Sequence, residues 1–508
     1  MQAASKVIVN TVILYIKIVL SLLIALISVP LVLNALGASD YGLYNLVAGI
    51  VAMLAFLNNS LTVSTQRYMS IAMGENDREK INIIYNTSFL LHLFLGFIVI
   101  LVFEIGGLVF IDEFNIEANR LWSAKVIFQF LIMSTFFKII AVPFDALVNA
   151  REDMLPFSII ELIESLLMLL SAFSIGYFAG NKLVFYGICI LLISFLSILL
   201  KYSWCKYAYR DFSISLKNFK GRFKIKEMIG FTGWNLYAGL AMMGRNQGVA
   251  IVINLFLGTI ANAAYGIANQ INGALNHFSA TFQKAINPQL MKSEGMKDRN
   301  RMLKISYISS KFSVLAIALF AIPLIMEMDE VLSLWLKDNI PPYTLRLSQL
   351  ILILSIFYQY SVGIMSAVQA TGKIRNYQIT IGSLLLLNVP IAYIVLKLGY
   401  PVYYTIVGFI ILEIISLIVR LALAHKLAGM SVIMYITQVV RPTAIIILIP
   451  TVVSCIPYLL LNSGFMRLSL VSITYGLLFI ALMWRFAFEK EQRERFREKF
   501  INIINKIK

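Results

Sequence analysis

Apolar stretches of about twenty residues recur from one end of the chain to the other, each long enough to cross a hydrocarbon core of about 30 Å as a helix. They fall at roughly 8–33, 41–64, 82–106, 123–148, 157–180, 183–205, 230–256, 262–284, 304–326, 347–370, 377–397, 401–425, 434–461 and 465–487. Fourteen such spans predict an all-α integral membrane protein, because a backbone in lipid must satisfy its own hydrogen bonds and a continuous helix does so. The first stretch, Val7 to Leu33, is too long for the apolar region of a cleavable signal and lacks a small-residue cleavage site. It reads as the first span.

A second pattern lies over the first. Asn34, Gly37, Tyr41, Gly42 and Asn45 return about 220 residues later as Asn254, Gly258, Tyr265, Gly266 and Asn269. The run Gly74 to Lys80 returns as Gly295 to Arg301, and Val148-Asn149-Ala150 returns as Val368-Gln369-Ala370. The repeat predicts two six-helix halves, 1–205 and 230–430, joined by a linker at 206–229. Two extra helices at 431–488 and a tail at 489–508 follow. An even number of spans per half inserts both halves the same way up, related by an axis along the membrane normal, as in parallel-repeat transporters.

Composition agrees with a bilayer as solvent. Of 508 residues 59% are hydrophobic and 14% charged, against about 25% charged in soluble domains, and the mean hydropathy is +0.82. The net charge of +17 lies in alternate loops: Arg67–Lys80, Lys201–Lys226, Lys284–Lys304 and the segment after Arg485. The opposite loops are short or acidic, with Glu104, Asp112, Glu113 and Glu117 in one and Glu327, Asp329 and Glu330 in its counterpart. Positive loops stay cytoplasmic, so both termini are expected there, and the charge reflects topology rather than nucleic-acid binding. Linker 206–229 alternates basic and apolar residues, which suits either an amphipathic segment on the anionic inner leaflet or an ordinary basic loop. Cys189, Cys205 and Cys455 lie far apart without disulfide or metal spacing and are expected to pack as small hydrophobes.

No phosphate-binding loop, nucleophile elbow or metalloprotease motif is present, so neither an enzyme nor an ATP-driven pump is expected. His92, His277 and His425 stand apart from one another. The intramembrane polar residues remain, and each buried charge should face a cavity or a partner. Arg245 lies mid-span within Gly244-Arg245-Asn246-Gln247, and Lys17 lies inside the repeat-matched first span. Both are candidates to line a cationic cavity, the alternatives being an inter-helix salt bridge for Arg245 and snorkelling for Lys17. Arg67 and Lys284 end spans two and eight, as guides for an anion or as interfacial anchors. The polar faces Asn58–Gln66 and Asn269, Gln270, Asn272, Asn276, Thr281 and Gln283 suit either a water-filled cavity or helix-to-helix bonding. Glu161, Glu164 and Glu413 are the candidate ion-coupling acids, with Asp145 near Lys138. Each either titrates or neutralises a cation such as Lys138 or Arg420.

Several of these residues sit in motifs: Gly37-Ala38-Ser39-Asp40-Tyr41-Gly42-Leu43-Tyr44, Phe231-Thr232-Gly233-Trp234, Gly258 through Tyr265-Gly266, and Gln369-Ala370-Thr371-Gly372-Lys373. In this order and spacing they resemble the polysaccharide-exporter (O-antigen flippase) branch of the multidrug/oligosaccharidyl-lipid/polysaccharide (MOP) superfamily. The resemblance implies export of an oligosaccharide on undecaprenyl diphosphate from the cytoplasmic to the periplasmic leaflet of a bacterial cytoplasmic membrane by alternating access. It further implies Arg245 and Lys17 at the diphosphate or acidic sugars, membrane lipids around the tail, and polysaccharide polymerase and chain-length machinery as partners. No cofactor is implied beyond a proton or sodium gradient. A cation-coupled multidrug exporter of the same fold is the main rival, and a peptidoglycan lipid-precursor flippase a lesser one. The rival's cationic drugs call for cavity acids, yet spans one, two, seven and eight contain no Asp or Glu in their cores.

Overall fold

The computed structural model describes residues 3–52, 55–110, 120–209, 222–337 and 340–488, which form helices joined by short turns with no strand among them. In chain order these are α1 (Ala3–Ala52), α2 (Ala55–Gly74), α3 (Arg78–Phe110), α4 (Leu121–Arg151), α5 (Met154–Ile175), α6 (Lys182–Ala208) and α7 (Arg222–Gly295). There follow α8 (Arg299–Met326), α9 (Met328–Leu336), α10 (Thr344–Thr371), α11 (Arg375–Leu386), α12 (Asn388–Lys397) and α13 (Tyr403–Ala428). Last come α14 (Val432–Tyr435), a π-helical turn (Ile436–Val440), α15 (Arg441–Leu460) and α16 (Phe465–Phe486). Twelve stretches among the described residues are long and apolar enough to cross a membrane, so the chain is an all-α, multi-pass membrane protein. The expected seventh and eighth spans share one of those stretches, Glu227–Gly295. The expected second span runs through the end of α1 and α2, on either side of residues 53–54, which lie outside the described set. The expected eleventh span is one stretch, Arg375–Lys397, whose helical bonding is interrupted at Leu387 between α11 and α12 while the backbone there stays right-handed. Pro390 follows closely and has no amide hydrogen for the carbonyl four residues earlier. Residues 210–221 of linker 206–229, the tail 489–508 and the acids Asp112, Glu113 and Glu117 fall outside the described residues.

By contact the chain forms two compact units, one of Met1–Gly239 with Lys284–Arg299 and one of Leu240–Gln283 with Asn300–Lys508. Two of the three boundaries fall within α7 and the third at the start of α8. In unit 1, α4 is the hub, packed against α1, α2, α3, α5 and α6. Its most apolar window is 67% buried against 22% for α3, so α4 is enclosed by protein while α3 borders lipid. In unit 2 the repeat partner of α4 is α10, 72% buried. There α10 packs on α13 and so closely on α8 that a Cβ at Gly363 would run into the Ser306 carbonyl oxygen. Ser306 donates to the Gly363 carbonyl and Ser310 to that of Tyr360, both at 2.9 Å. Small residues thus replace bulk with backbone contact, the packing mode that holds helices together in lipid. Large apolar side chains such as Phe94, Leu101, Leu255, Ile433 and Leu459 point outward, as a lipid-facing surface requires.

The repeated glycines of the sequence have a conformational reason. Gly37 (φ 79°, ψ 164°) breaks α1, and its counterpart Gly258 (φ 74°, ψ −170°) breaks α7. That region of φ/ψ is accessible essentially to glycine alone. Gly42 and Gly266, the other repeated pair, are helical with open space around them. Gly37→Ala and Gly258→Ala should each lower stability by about 1–3 kcal/mol. Gly42→Ala and Gly266→Ala should be neutral or stabilise by up to about 1 kcal/mol. Thermal unfolding of the purified variants in detergent checks both.

Candidate functional site

In unit 1 the expected site residues Lys17, Lys284 and Glu161 come together. Along α1, Asn10, Leu14, Lys17 and Ser21 form a stripe at helical spacing, and α1 packs against α5. Lys17 pairs with Glu161 Oε2, and Lys284 lies 4.0 Å from Oε1 of the same carboxylate. One turn further along, the Ser21 and Ser165 hydroxyls approach to 3.5 Å. On the other side Leu14, Met154 and Ala285 form a small buried apolar cluster. The triad therefore holds one carboxylate between two ammonium groups and keeps a net positive charge. Glu164 accepts from the Ser197 hydroxyl. Asp145 takes its cation from α6, where Lys201 donates at 2.9 Å. Lys138, seven residues away on the same helix, is about 10.5 Å along the axis and does not supply it.

Arg67 is buried on α2, with its guanidinium 4.8 Å from the ring centroids of both Tyr68 and Phe231. The same face of α2 meets α7 through Thr232, which donates to Ser64 at 2.8 Å, and through Ser60, which donates to the Asn235 carbonyl at 3.4 Å. Arg67 is thus held by packing between aromatic rings.

Where α2 ends, it crosses the end of α7 at repeat-related glycines. A Cβ on Gly74 would run into the Lys292 carbonyl oxygen, and one on Gly295 into that of Ile71. Beside this crossing the Glu152 carboxylate, itself buried, accepts from Gln289 on one oxygen and pairs with Lys292 on the other. Asn10 donates to the Glu152 carbonyl at 2.9 Å. Glu152 was not singled out by its sequence, though a signal existed. It sits in the left-handed region (φ 59°), where the second repeat carries Gly372 (φ 78°). A non-glycine residue there costs about 1–2 kcal/mol, offset here by the bonds its side chain makes.

In unit 2, Gly244 and Gly248 seat α7 against Leu386 and Val389, with ideal Cβ distances of 3.2 and 2.8 Å. Between these contacts Arg245 is half-buried, while Asn246 and Gln247 are exposed. Arg245 Nε donates to Asn246 Oδ1 at 3.1 Å, and among the described residues it pairs with no carboxylate. Asn269 and Gln270 are likewise exposed, Asn269 donating to the Tyr265 carbonyl at 2.9 Å. Further along α7 the polar face is consumed internally. Gln359 of α10 donates to Asn276 at 2.8 Å and accepts from Ser279 at 2.6 Å, and Gln283 donates to Ser279 at 3.1 Å. The two readings of this face thus divide along its length, exposed amides at one end and helix-to-helix bonding at the other. Glu413 is buried and accepts from Arg420 at 2.5 Å. Glu327, expected in an acidic outer loop, is instead fully buried and held by Arg467 of α16 through bonds of 3.0 and 3.1 Å.

No metal-binding group of His, Cys, Asp and Glu occurs among the described residues. Ala substitution of Gly74 or Gly295 should each lower stability by about 1–3 kcal/mol through overpacking. The double variant should cost clearly less than the sum, because both relieve the same crossing. Thermal unfolding of the two singles and the double checks this.

No protein-family model and no curated protein matches the sequence. Solved structures do match in fold. The chain is similar to a point mutant of a MATE protein (TM-score 0.73, 15% identity, 84% of this chain and 98% of that one). It is equally similar to a MOP superfamily transporter from Pyrococcus furiosus Vc1 (TM-score 0.73, 14% identity, 84% and 96%), described as having a binding pocket of reverse polarity that suggests a different function. A multidrug resistance MATE family transporter of the MOP superfamily in an outward-facing conformation gives a TM-score of 0.72 at 14% identity, over 84% and 96% of the two chains. At such identities the likeness concerns architecture: this chain has the fold of the MATE and MOP-superfamily transporters.

Proposed function

We propose that this chain is a membrane transporter that moves a lipid-linked oligosaccharide, carried on undecaprenyl diphosphate, from the cytoplasmic to the periplasmic leaflet of a bacterial cytoplasmic membrane. The observation that carries this reading is Arg245 with the exposed amides Asn246, Gln247, Asn269 and Gln270, and no carboxylate pairing with that arginine among the described residues. Polar groups exposed on membrane helices do not face lipid; they border a water-filled space. A guanidinium presents a planar fork of donors that matches phosphate oxygens, and amides donate to and accept from sugar hydroxyls. The Lys17–Glu161–Lys284 triad, with its excess positive charge, is consistent with an anionic cargo. The lipid tail stays in the bilayer while alternating access carries the polar head across.

The basic loops support a cytoplasmic position for both termini. If a proton or sodium gradient drives the cycle, Glu161, Glu164 and Glu413 are the candidate coupling acids, Glu161 and Glu413 paired with cations and Glu164 held by the Ser197 hydroxyl. A multidrug exporter is the competing reading that the fold favours, but an organic cation gains nothing from Arg245. Replacing Arg245 with Ala should reduce surface glycan at least about tenfold at unchanged membrane levels, the worth of one charge-assisted bond or more. Arg245→Lys should retain part of the activity. Undiminished export in the Ala variant would remove Arg245 from the mechanism.

A further inference from the structure

A second polar feature of unit 1 is independent of the transported cargo. Where α2, α4 and α6 end, the chain leaves a cavity of about 460 Å³, within the range of small-molecule sites, about 300–1,000 Å³. Arg78 and Asn82 reach it from the start of α3, Arg151 and Asp153 from the α4–α5 turn, Tyr209 from just beyond α6, and Lys292 from α7. Three cations therefore converge from three separate elements, one of them, Lys292, paired with Glu152 in the same wall. The acids in the wall are already engaged. Glu152 is bound by Gln289 and Lys292, and Asp153 accepts from the Tyr209 hydroxyl at 3.1 Å. The Arg151 guanidinium stacks 4.2 Å from the Tyr209 ring centroid. Burial, with the Asp153 charge adding to it, raises the Tyr209 pKa, so its phenol stays protonated. The turn itself carries the left-handed Glu152, where the second repeat has Thr371-Gly372-Lys373 with an unstrained glycine. The first repeat thus departs from its partner at the lip of the cavity.

We propose that this cavity binds a phosphate group, with Arg78, Arg151 and Lys292 as the charged donors and Asn82 as a neutral one. Two arginines favour phosphate over a simple carboxylate because their fork donates to two oxygens at once. The phosphate comes either from the headgroup of an anionic lipid at that end of the bilayer or from a soluble phosphate compound.

The full chain in lipid nanodiscs tests it. One arm titrates inorganic pyrophosphate into phosphatidylcholine nanodiscs and reads binding by calorimetry. The other counts retained phosphatidylglycerol by native mass spectrometry after preparation in mixed phosphatidylcholine and phosphatidylglycerol. At least one probe should bind, and the arm that responds identifies the source. Arg78→Gln with Arg151→Gln should weaken that binding about tenfold or more. Asn82→Asp, which adds a negative charge while changing shape little, should do the same, and Lys373→Gln in the second repeat should leave it unchanged. Absence of binding by both probes, or binding that survives Asn82→Asp at wild-type affinity, would overturn the proposal.

Discussion

The carboxylate of Glu161 held between Lys17 and Lys284 shows the constraint under which the whole chain is built. A charge placed mid-bilayer costs on the order of 2.5–3.5 kcal/mol on insertion scales, and desolvation makes an unmatched partner costlier still. Several described ions answer this in pairs: Lys201 with Asp145, Arg420 with Glu413, Arg467 with Glu327. Arg67 also packs its guanidinium against two aromatic rings. Against that background Arg245 stands out. It is half-buried, bonded to a neighbouring amide and matched by no described carboxylate. On the reading proposed above, such a cation is where an anionic cargo would bind.

The internal repeat separates scaffold from function. Gly37 and Gly258 share a glycine-only backbone conformation, Gly74 and Gly295 share one helix crossing, and α4 and α10 are the buried helices of their units. These shared features set where helices bend and how closely they approach. The differences are chemical. Arg245 has no charged counterpart in the first repeat, and Glu152 stands where the second repeat has Gly372.

Much of this was legible in the sequence. Long apolar runs dictate helices in lipid, so the all-α fold, most spans and the repeat followed from hydropathy and recurring glycines alone. The interruption of helical bonding at Leu387 was not separable from a regular span, because it leaves the apolar run intact. Site residues were legible as types but not as partners. Glu161 could be recognised as an intramembrane acid, yet its two lysines come from segments far away in the chain. Asp145 appeared to belong with Lys138, but helix geometry holds those two apart while α6 delivers Lys201. The polarity of the eighth span allowed both a cavity and helix-to-helix bonding, but not which residues do which: Asn276 and Ser279 bond to Gln359, whereas Asn269 and Gln270 stay exposed. Such distinctions depend on tertiary packing, which spacing along one helix does not encode.

On this account the exposed polar face at Arg245 serves an anionic, lipid-linked cargo rather than a cationic drug. Purified protein in sealed vesicles, given a fluorescent lipid-diphosphate sugar and, separately, ethidium, tests that choice most directly. Protein-dependent movement of the lipid-linked sugar between leaflets, without ethidium transport, is the expected result. Ethidium transport with no movement of the sugar would contradict it.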